Sequence, residues 1–366
     1  MPAPVFLTGA TGFLGMEVLA RLLEAGDHEV VALVRADGDE AAAQRLDGVL
    51  RTLWRDPAPY RDRVRAVAGD LVRPGLGLAQ AQRTALAEEI GGVLHCAASI
   101  SFDLPLEEAR AINVEGTREV IGLAREAKAL GRLDRFLHVS TAYVSGTHTG
   151  TFDERQLVEG QGFRNTYEQT KWEAEQLIAE AEDLRPTVAR PSIVMGESDS
   201  GWTPAFNVLY WPLRAFSRGL FERVPALPEG RVDVVPVDYV ADGIVHLFDR
   251  DEPGVYNLVA GQDAPTVSEL IDLSAERFDV PRPELVAAGE PTALADGEVY
   301  VPYFDIRVVF DDTRARELLG PAGIQPQRLA DYFGALIDYA EAARWGKRRM
   351  TREEARERLA PPAAAA

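Results

Sequence analysis

The feature that most restricts the fold is a glycine-spaced turn set between a strand-like run and a helix-like run. Val5-Phe6-Leu7 leads directly into Thr8-Gly9-Ala10-Thr11-Gly12-Phe13-Leu14-Gly15. A helical pattern then runs from Phe13 to Ala25 and closes on Gly26. Glycines at such a junction permit a tight turn and let backbone N–H groups approach a pyrophosphate, with the positive helix end behind them. The spacing is GxxGxxG rather than GxGxxG. A ligand-free glycine-rich turn is the plain alternative. The strand before and the helix after favour phosphate binding through Gly9, Thr11, Gly12, Phe13, Leu14 and Gly15.

The same rhythm continues downstream. Glu29 to Val34, Val64 to Ala68, Gly92 to Ala97, Phe136 to Thr141 and Thr187 to Val194 are short apolar runs separated by helical patterns. Continuous apolar strands between helices belong to a parallel sheet covered on both faces. The expectation is an α/β chain with a Rossmann-type, doubly wound parallel sheet. Val232 to Val235 and Val255 to Val259 are expected to return to that sheet. After Val194 the rhythm changes: Trp202, Phe206, Tyr210, Trp211, Phe216 and Phe221 fall among prolines and glycines. From Pro265 onward the pattern is mostly helical, broken by Pro281, Pro283 and Pro291. Residues 1–194 and 230–262 are therefore expected to form the dinucleotide-binding domain. Residues 195–229 and 263–366 are expected to form a smaller, mostly helical substrate lobe. The aromatic stretch would wall the substrate site; ordinary core packing competes with that role at each residue.

Composition removes several function classes. Against 39 Lys+Arg stand 58 Asp+Glu, a net charge of −19, which repels nucleic acid and anionic lipid. The single cysteine, Cys96, excludes an internal disulfide framework and a Cys-rich zinc site. No apolar run reaches the ~18 residues of a membrane span, and the N-terminus lacks the basic region of a signal peptide. A cytoplasmic protein is expected. The five histidines, His28, His95, His138, His148 and His246, show no metal-binding spacing. His95 and His138 fall at strand ends and are expected to be structural.

The end of the second strand bears on the cofactor. An acidic residue about 20 positions past the glycines would bond the ribose 2′-hydroxyl of NAD. Here Val31-Ala32-Leu33-Val34 ends in Arg35, and Arg45 follows on the next helical pattern. A guanidinium grips a 2′-phosphate and has no acceptor for a hydroxyl. Asp37, Asp39 and Glu40 lie close by, and both arginines could be solvated surface charges. The pattern favours NADPH.

Tyr167-Glu168-Gln169-Thr170-Lys171 places a phenol and an ammonium on one helix face. A nearby cation favours the phenolate, which would lower the tyrosine's pKa toward a useful range for proton transfer. The chain holds 10 tyrosines and only three lysines, Lys128, Lys171 and Lys347, so chance places such a pair in about 8% of chains of this composition. Upstream, Phe136-Leu137-His138-Val139-Ser140-Thr141 ends in hydroxyls at the edge where such sheets bind ligands. Thr141 could hold a substrate carbonyl oxygen beside Tyr167; Ser140 is the rival. Capping of the strand end is the structural alternative for both.

With these residues in hand, the chain resembles the extended short-chain dehydrogenase/reductases. The matching segments are the glycine turn, Asp70-Leu71, His95-Cys96-Ala97-Ala98, Asn113-Val114-Glu115-Gly116-Thr117, and the Thr141, Tyr167, Lys171 set. The resemblance implies that Thr141 orients the carbonyl, Tyr167 donates the proton, and Lys171 holds the nicotinamide ribose and tunes the tyrosine. It also implies that Asp70 and Leu71 border the adenine, and that Ala97, Ala98 and the segment from Pro191 to Ile193 border the nicotinamide half. It implies a mostly structural role for Asn113.

A narrower resemblance rests on Leu33-Val34-Arg35 with Gln44-Arg45-Leu46, Val139-Ser140-Thr141-Ala142-Tyr143-Val144, Arg190-Pro191-Ser192-Ile193-Val194, Gly201-Trp202 and Val235-Pro236-Val237-Asp238. These segments are similar to fatty acyl-CoA reductases and to the terminal thioester reductase domains of carboxylic acid reductases and peptide synthetases. That similarity implies NADPH and a hydrophobic acyl thioester or aldehyde, free, CoA-linked or carrier-linked. It leaves monomer and homodimer both open. The cofactor-side motifs would equally serve an NADP-dependent hydroxy/keto dehydrogenase of a lipid, steroid or terpenoid. Sugar-nucleotide epimerases and dehydratases share the fold this resemblance implies; a dehydratase would follow Thr141 with a carboxylate pair, whereas Ala142 and Tyr143 stand there. A cofactor-sensing regulator without catalysis would be expected to lack the Tyr167/Lys171 pair.

Overall fold

Seven apolar runs pair in parallel into one sheet. They are Val5–Thr8 (β1), Val30–Val34 (β2), Val64–Ala68 (β3), Gly92–His95 (β4), Arg135–Val139 (β5), Thr187–Pro191 (β6) and Gly254–Leu258 (β7). The strand order is 7-6-5-4-1-2-3. This is a computed structural model describing residues 3–206, 209–287 and 306–359. Every residue of β1, β2 and β4 is buried, which is why their sequences run apolar without alternation.

Six helices flank the sheet: Phe13–Glu24 (α1), Asp39–Leu53 (α2), Gln80–Glu89 (α3), Gly116–Ala129 (α4), Thr166–Ala179 (α5) and Val237–Arg250 (α6). On one face, Leu19 and Leu22 of α1 and Ile244 and Leu247 of α6 share a core with Leu7, Ala32 and Leu94. On the other, Leu86 of α3 and Val120 and Leu123 of α4 pack with Phe6, Val93 and Phe136. Strand order reverses between β1 and β4, so the turns leaving those two strands flank a crevice at the carboxyl edge.

Two strand expectations need correction. The run from Thr187 to Val194 breaks at Pro191, and Ile193–Met195 forms a separate strand. Its partner is Val234–Pro236, so the run from Val232 to Val235 does not return to the central sheet. A proline supplies no N–H to continue a ladder, and Ile193 N donates instead to the Asp233 carbonyl at 3.2 Å.

A second core gathers Tyr210, Leu213, Phe216, Ile271, Phe310, Tyr332 and Leu336. It is built by the helices Tyr210–Phe216, Val267–Phe278 and Leu329–Ala342, with short ladders beside them. Much of the aromatic stretch is core rather than substrate wall. Trp202 is fully buried on the sheet side and donates from Nε1 to the Met350 carbonyl at 3.2 Å. The Tyr210 hydroxyl accepts from Gly196 N at 3.1 Å, and Phe206 stacks on Tyr339. Pro291 lies outside the described residues.

The helix Arg352–Leu359 lies as a strap over the sheet-side core, against α2 and the helix Leu329–Ala342. Buried Arg352 reaches Glu17 at 3.3 Å, also bonds Glu24, and lies over the Trp54 ring at 5.6 Å. One helical turn on, Arg356 grips the buried Glu197 with contacts of 2.6 and 3.1 Å.

Candidate active site

The glycine turn is shaped by close approach. Gly9 has φ +83°, and a Cβ there would sit 2.7 Å from Ala97 N. A Cβ on Gly15 would collide with the Gly9 carbonyl. The turn thus lies hard against the segment leaving β4, and Ala97 N donates to Thr8 Oγ1 at 3.1 Å. Ala97 and Ala98 are half-buried beside it, Thr11 is exposed on the turn, and Phe13 and Leu14 pack against the sheet-side core. Bare backbone at the head of α1, in a cradle that a single methyl would fill, fits a dinucleotide pyrophosphate.

A cavity of about 920 Å³ opens beyond the ends of β2 and β3. Arg35, Arg45, Arg73, Asp37, Asp39 and Asp70 are among its lining residues. The Arg45 guanidinium donates to the Arg35 carbonyl and so ties α2 to the end of β2. Asp39 has one carboxylate oxygen engaged by Ala68 N at 3.1 Å, and Asp70 likewise accepts from Val72 N at 3.2 Å. Among the described residues, neither Arg35 nor Arg73 forms an ion pair. Their guanidiniums are uncommitted cations in a chain of net charge −19. Nothing in its local pattern singles out Arg73; its one signal in the sequence is position, three residues after Asp70. Leu71 does not line the cavity. It packs under α4, where a Cβ on Gly116 would lie 3.0 Å from its own.

At the other end of the crevice, Thr141 leaves β5 and caps the turn Ala142–Ser145. Its Oγ1 accepts from Tyr143 N and donates to the Pro191 carbonyl, both at 3.3 Å. It also lies beside the Tyr167 phenol from α5, where its hydroxyl favours the phenolate. The structure therefore brings Thr141 to Tyr167, while buried Ser140 Oγ has no hydrogen-bond partner among the described residues. Pro191 and Ile193 bracket the same spot, Pro191 through its carbonyl. Asn165 caps α5 by accepting from Glu168 N at 2.9 Å, which fixes the register of Tyr167 and Lys171. Asn113 sits in a single π-turn, Ala111–Glu115. It bonds both the N–H and the carbonyl of Ser99, and donates to Thr170 Oγ1 at 2.9 Å. It ties the segment after β4 to α5 next to Lys171.

The electrostatics differ from the simple pairing expected. Burial pushes the Tyr167 phenol up to about 12; the Thr141 hydrogen bond opposes the rise and the Glu168 carboxylate adds to it. Desolvation outweighs any help from a cation, so the phenol is a firm proton holder. Burial also pulls the Lys171 ammonium down to about 8, opposed by Glu175 and Cys96. Lys171 Nζ donates to the Val139 carbonyl at 2.8 Å and lies 3.3 Å from His138 Nε2. Among the described residues no cluster of His, Cys, Asp or Glu could hold a metal, and no helix is long and apolar enough to cross a membrane.

A family model described as Male sterility protein matches residues 7–244. The L-2-aminoadipate reductase large subunit of Eremothecium gossypii is 35% identical over 261 residues, which are 66% of this chain and 18% of that protein. Fatty acyl-CoA reductase wat of Drosophila melanogaster is 31% identical over 305 residues, 70% of this chain and 57% of that protein. The chain thus spans less than two thirds of the length of these curated relatives. Among solved structures, the terminal R domain from the myxalamid PKS-NRPS biosynthetic pathway superposes with a TM-score of 0.81 at 26% identity. That match covers 96% of this chain and 93% of the other.

Proposed function

Because the chain belongs to the Male sterility protein family, we propose that it is an NADPH-dependent reductase of a hydrophobic acyl thioester or aldehyde, acting by hydride transfer. A nicotinamide cofactor suits the turn at Gly9 and Gly15; the preference for NADPH rests on Arg35, Arg45 and Arg73 around one cavity. One observation carries the reading of the chemistry. Two hydroxyls from different elements, Thr141 and Tyr167, meet at the carboxyl edge of the sheet, with Lys171 one helical turn further on.

When bound, the nicotinamide supplies a hydride to the substrate's carbonyl carbon. Tyr167 offers its O–H to the carbonyl oxygen, Thr141 joins it by turning its proton from the Pro191 carbonyl to the substrate, and such bonds strengthen as negative charge develops there. A phenol near 12 is protonated at neutral pH, so Tyr167 has a proton to give. The Lys171 ammonium favours the phenolate left behind. From a thioester the product is a hemithioacetal, which releases the thiol and leaves an aldehyde. A second hydride would carry the aldehyde to an alcohol. Residues 195–229 and 263–366 form the substrate lobe in this proposal, and the donor is free, CoA-linked or carrier-linked. With a single cysteine, Cys96, and so no internal disulfide, the chain is suited to a reducing, cytoplasmic setting.

The test is NADPH consumption against acyl-CoAs, aldehydes and ketones of graded chain length. Turnover is expected with long-chain acyl-CoAs or aldehydes. Oxidation of an alcohol by NADP⁺, with no turnover of any acyl-CoA or aldehyde, would replace this reading with a hydroxy/keto dehydrogenase.

A further inference from the structure

The sequence treats His95 and His138 alike, as structural histidines, and their surroundings separate them. Both imidazoles are buried, with ring centroids 5.2 Å apart. His95 is fully partnered: Nδ1 meets Thr8 Oγ1 at 2.7 Å and Nε2 meets Thr117 Oγ1 at 3.0 Å. Thr8 Oγ1 accepts from Ala97 N and gives its own proton to His95 Nδ1, because the ring proton is needed on the other nitrogen. Thr117 donates to the Asn113 carbonyl, so it accepts from His95 Nε2. His95 is neutral with its proton on Nε2, and it ties β1, β4 and the head of α4 together.

His138 has the opposite arrangement. Among the described residues, its Nδ1 is buried without a hydrogen-bond partner, and its Nε2 faces only the Lys171 ammonium, at 3.3 Å. An ammonium has no lone pair, so Nε2 must be the acceptor and the proton must sit on Nδ1. We propose that His138 is a positioning residue for the reaction: its neutral imidazole accepts from Lys171 and, with the Val139 carbonyl, holds that ammonium charged and in place one helical turn from Tyr167. This rests on the reading of Tyr167 and Lys171 as the proton-transfer pair.

The groups facing Lys171 come from every packed element. They are His138 from β5, His95 from β4, Cys96 just after β4, and Tyr167 and Glu175 from its own helix. Glu175 is itself held by Arg190 of β6 at 2.5 to 3.1 Å. Burial, the Lys171 charge and His95 drive the His138 imidazole well below its usual range, so it stays neutral and able to accept. Without His138 the buried ammonium keeps, among the described residues, a single hydrogen-bond acceptor, the Val139 carbonyl, and sheds its proton more readily.

The sign follows directly. Lys171 is useful while charged, so activity is present below its pKa, near 8, and is lost as pH rises through it. Removing a charge-assisted hydrogen bond lowers that basic limb by about one pH unit. The experiment measures kcat and KM against pH with saturating NADPH and a long-chain acyl-CoA, or the matching aldehyde if the thioester is not turned over. His138→Leu is expected to move the basic limb of kcat down by about one unit, with KM for the substrate changed less than about twofold. His138→Gln places an amide oxygen near the lost Nε2 and is expected to restore the limb. A wild-type limb in His138→Leu, or a limb in His138→Gln that stays with Leu, overturns the proposal. Tyr167→Phe run alongside separates the two readings. If it keeps wild-type turnover, the proton-transfer assignment itself is wrong. If it is inactive while His138→Leu follows the wild-type profile, only the role of His138 fails. Should His138→Leu not fold, ¹⁵N-histidine NMR of the unmodified protein decides. An Nδ1–H tautomer that does not titrate between about pH 6 and 9 supports the proposal. An Nε2–H tautomer or an imidazolium overturns it.

Discussion

The cavity beyond β2 and β3 turns the choice between NADPH and NADH into a measurable ratio. Arg35 and Arg73 line it with guanidiniums open to solvent. Charge-assisted hydrogen bonds to phosphate are about twice as strong as neutral ones, and exposure places these two at the weak end of that class. Arg35→Ala is therefore expected to lower kcat/KM for NADPH about tenfold, and Arg73→Ala by a similar factor. NADH carries no 2′-phosphate, so its kcat/KM is expected to change by less than about twofold in either variant. Salt supplies a second readout. Exposed charges are screened over a Debye length of about 8 Å at physiological ionic strength, so the NADPH advantage of the unmodified protein shrinks as salt rises. The same dependence flattens in the variants. Arg45→Ala is expected to behave differently, because that guanidinium is bonded to the Arg35 carbonyl. Loosening the end of β2 disturbs both cofactors in the same direction. The assay is steady-state loss of reduced cofactor absorbance, with each cofactor varied at saturating substrate. Equal losses with NADPH and NADH in Arg35→Ala and Arg73→Ala would refute the reasoning and move the 2′-phosphate elsewhere.

Three further outcomes test other parts of the molecule. Tyr167→Phe removes the proton donor and is expected to lower turnover by about a hundredfold or more, while NADPH affinity measured by fluorescence stays within about twofold. Gly9→Ala forces a Cβ to 2.7 Å from Ala97 N on a residue with φ +83°; loss of cofactor binding with a lower unfolding temperature is expected, and unchanged affinity would show that the turn does not hold the cofactor. Arg352→Met strips one partner from Glu17, whose carboxyl is already raised by burial, and leaves Arg21 as the other. The expected cost in urea unfolding is about 3 kcal/mol, the low end for breaking a buried pair. A buried carboxyl raised above its unfolded value binds its proton more tightly in the folded state, so this deficit shrinks as pH falls and grows as pH rises through the raised pKa. A pH-independent deficit would remove Glu17 from the explanation.

The sheet was legible because buried parallel strands leave a one-dimensional mark: β1 and β3 begin and end close to where apolar runs do. Val232 to Val235 misled because an apolar run does not say which ladder it joins, and Pro191 diverts the chain to a new one. The site divides in the same way. Gly9, Thr141, Tyr167 and Lys171 are tied to local geometry, a turn, a strand end and a helix face, and local geometry is written in spacing. Arg73 and His138 depend on what faces them across the fold. His95 and His138 look equivalent in sequence and differ only in that Thr8 and Thr117 meet one, while Lys171 meets the other. The Tyr167 phenol was misjudged for a related reason: spacing places a lysine nearby, but only packing reveals how much water is lost.

The pairing of Glu17 with Arg352 also has a temporal side. The two residues are 335 positions apart in the chain. At about 5–20 residues per second of synthesis, α1 emerges roughly 20 to 70 s before its distant cation exists. During that interval the helix behind the glycine turn carries a carboxylate meant for a dry interior, with Arg21 as its only early neighbour. The nucleotide-binding half therefore reaches its final burial only after the ribosome has delivered the strap, and a nascent chain halted before Arg352 should be open to protease along α1 where the released protein is closed.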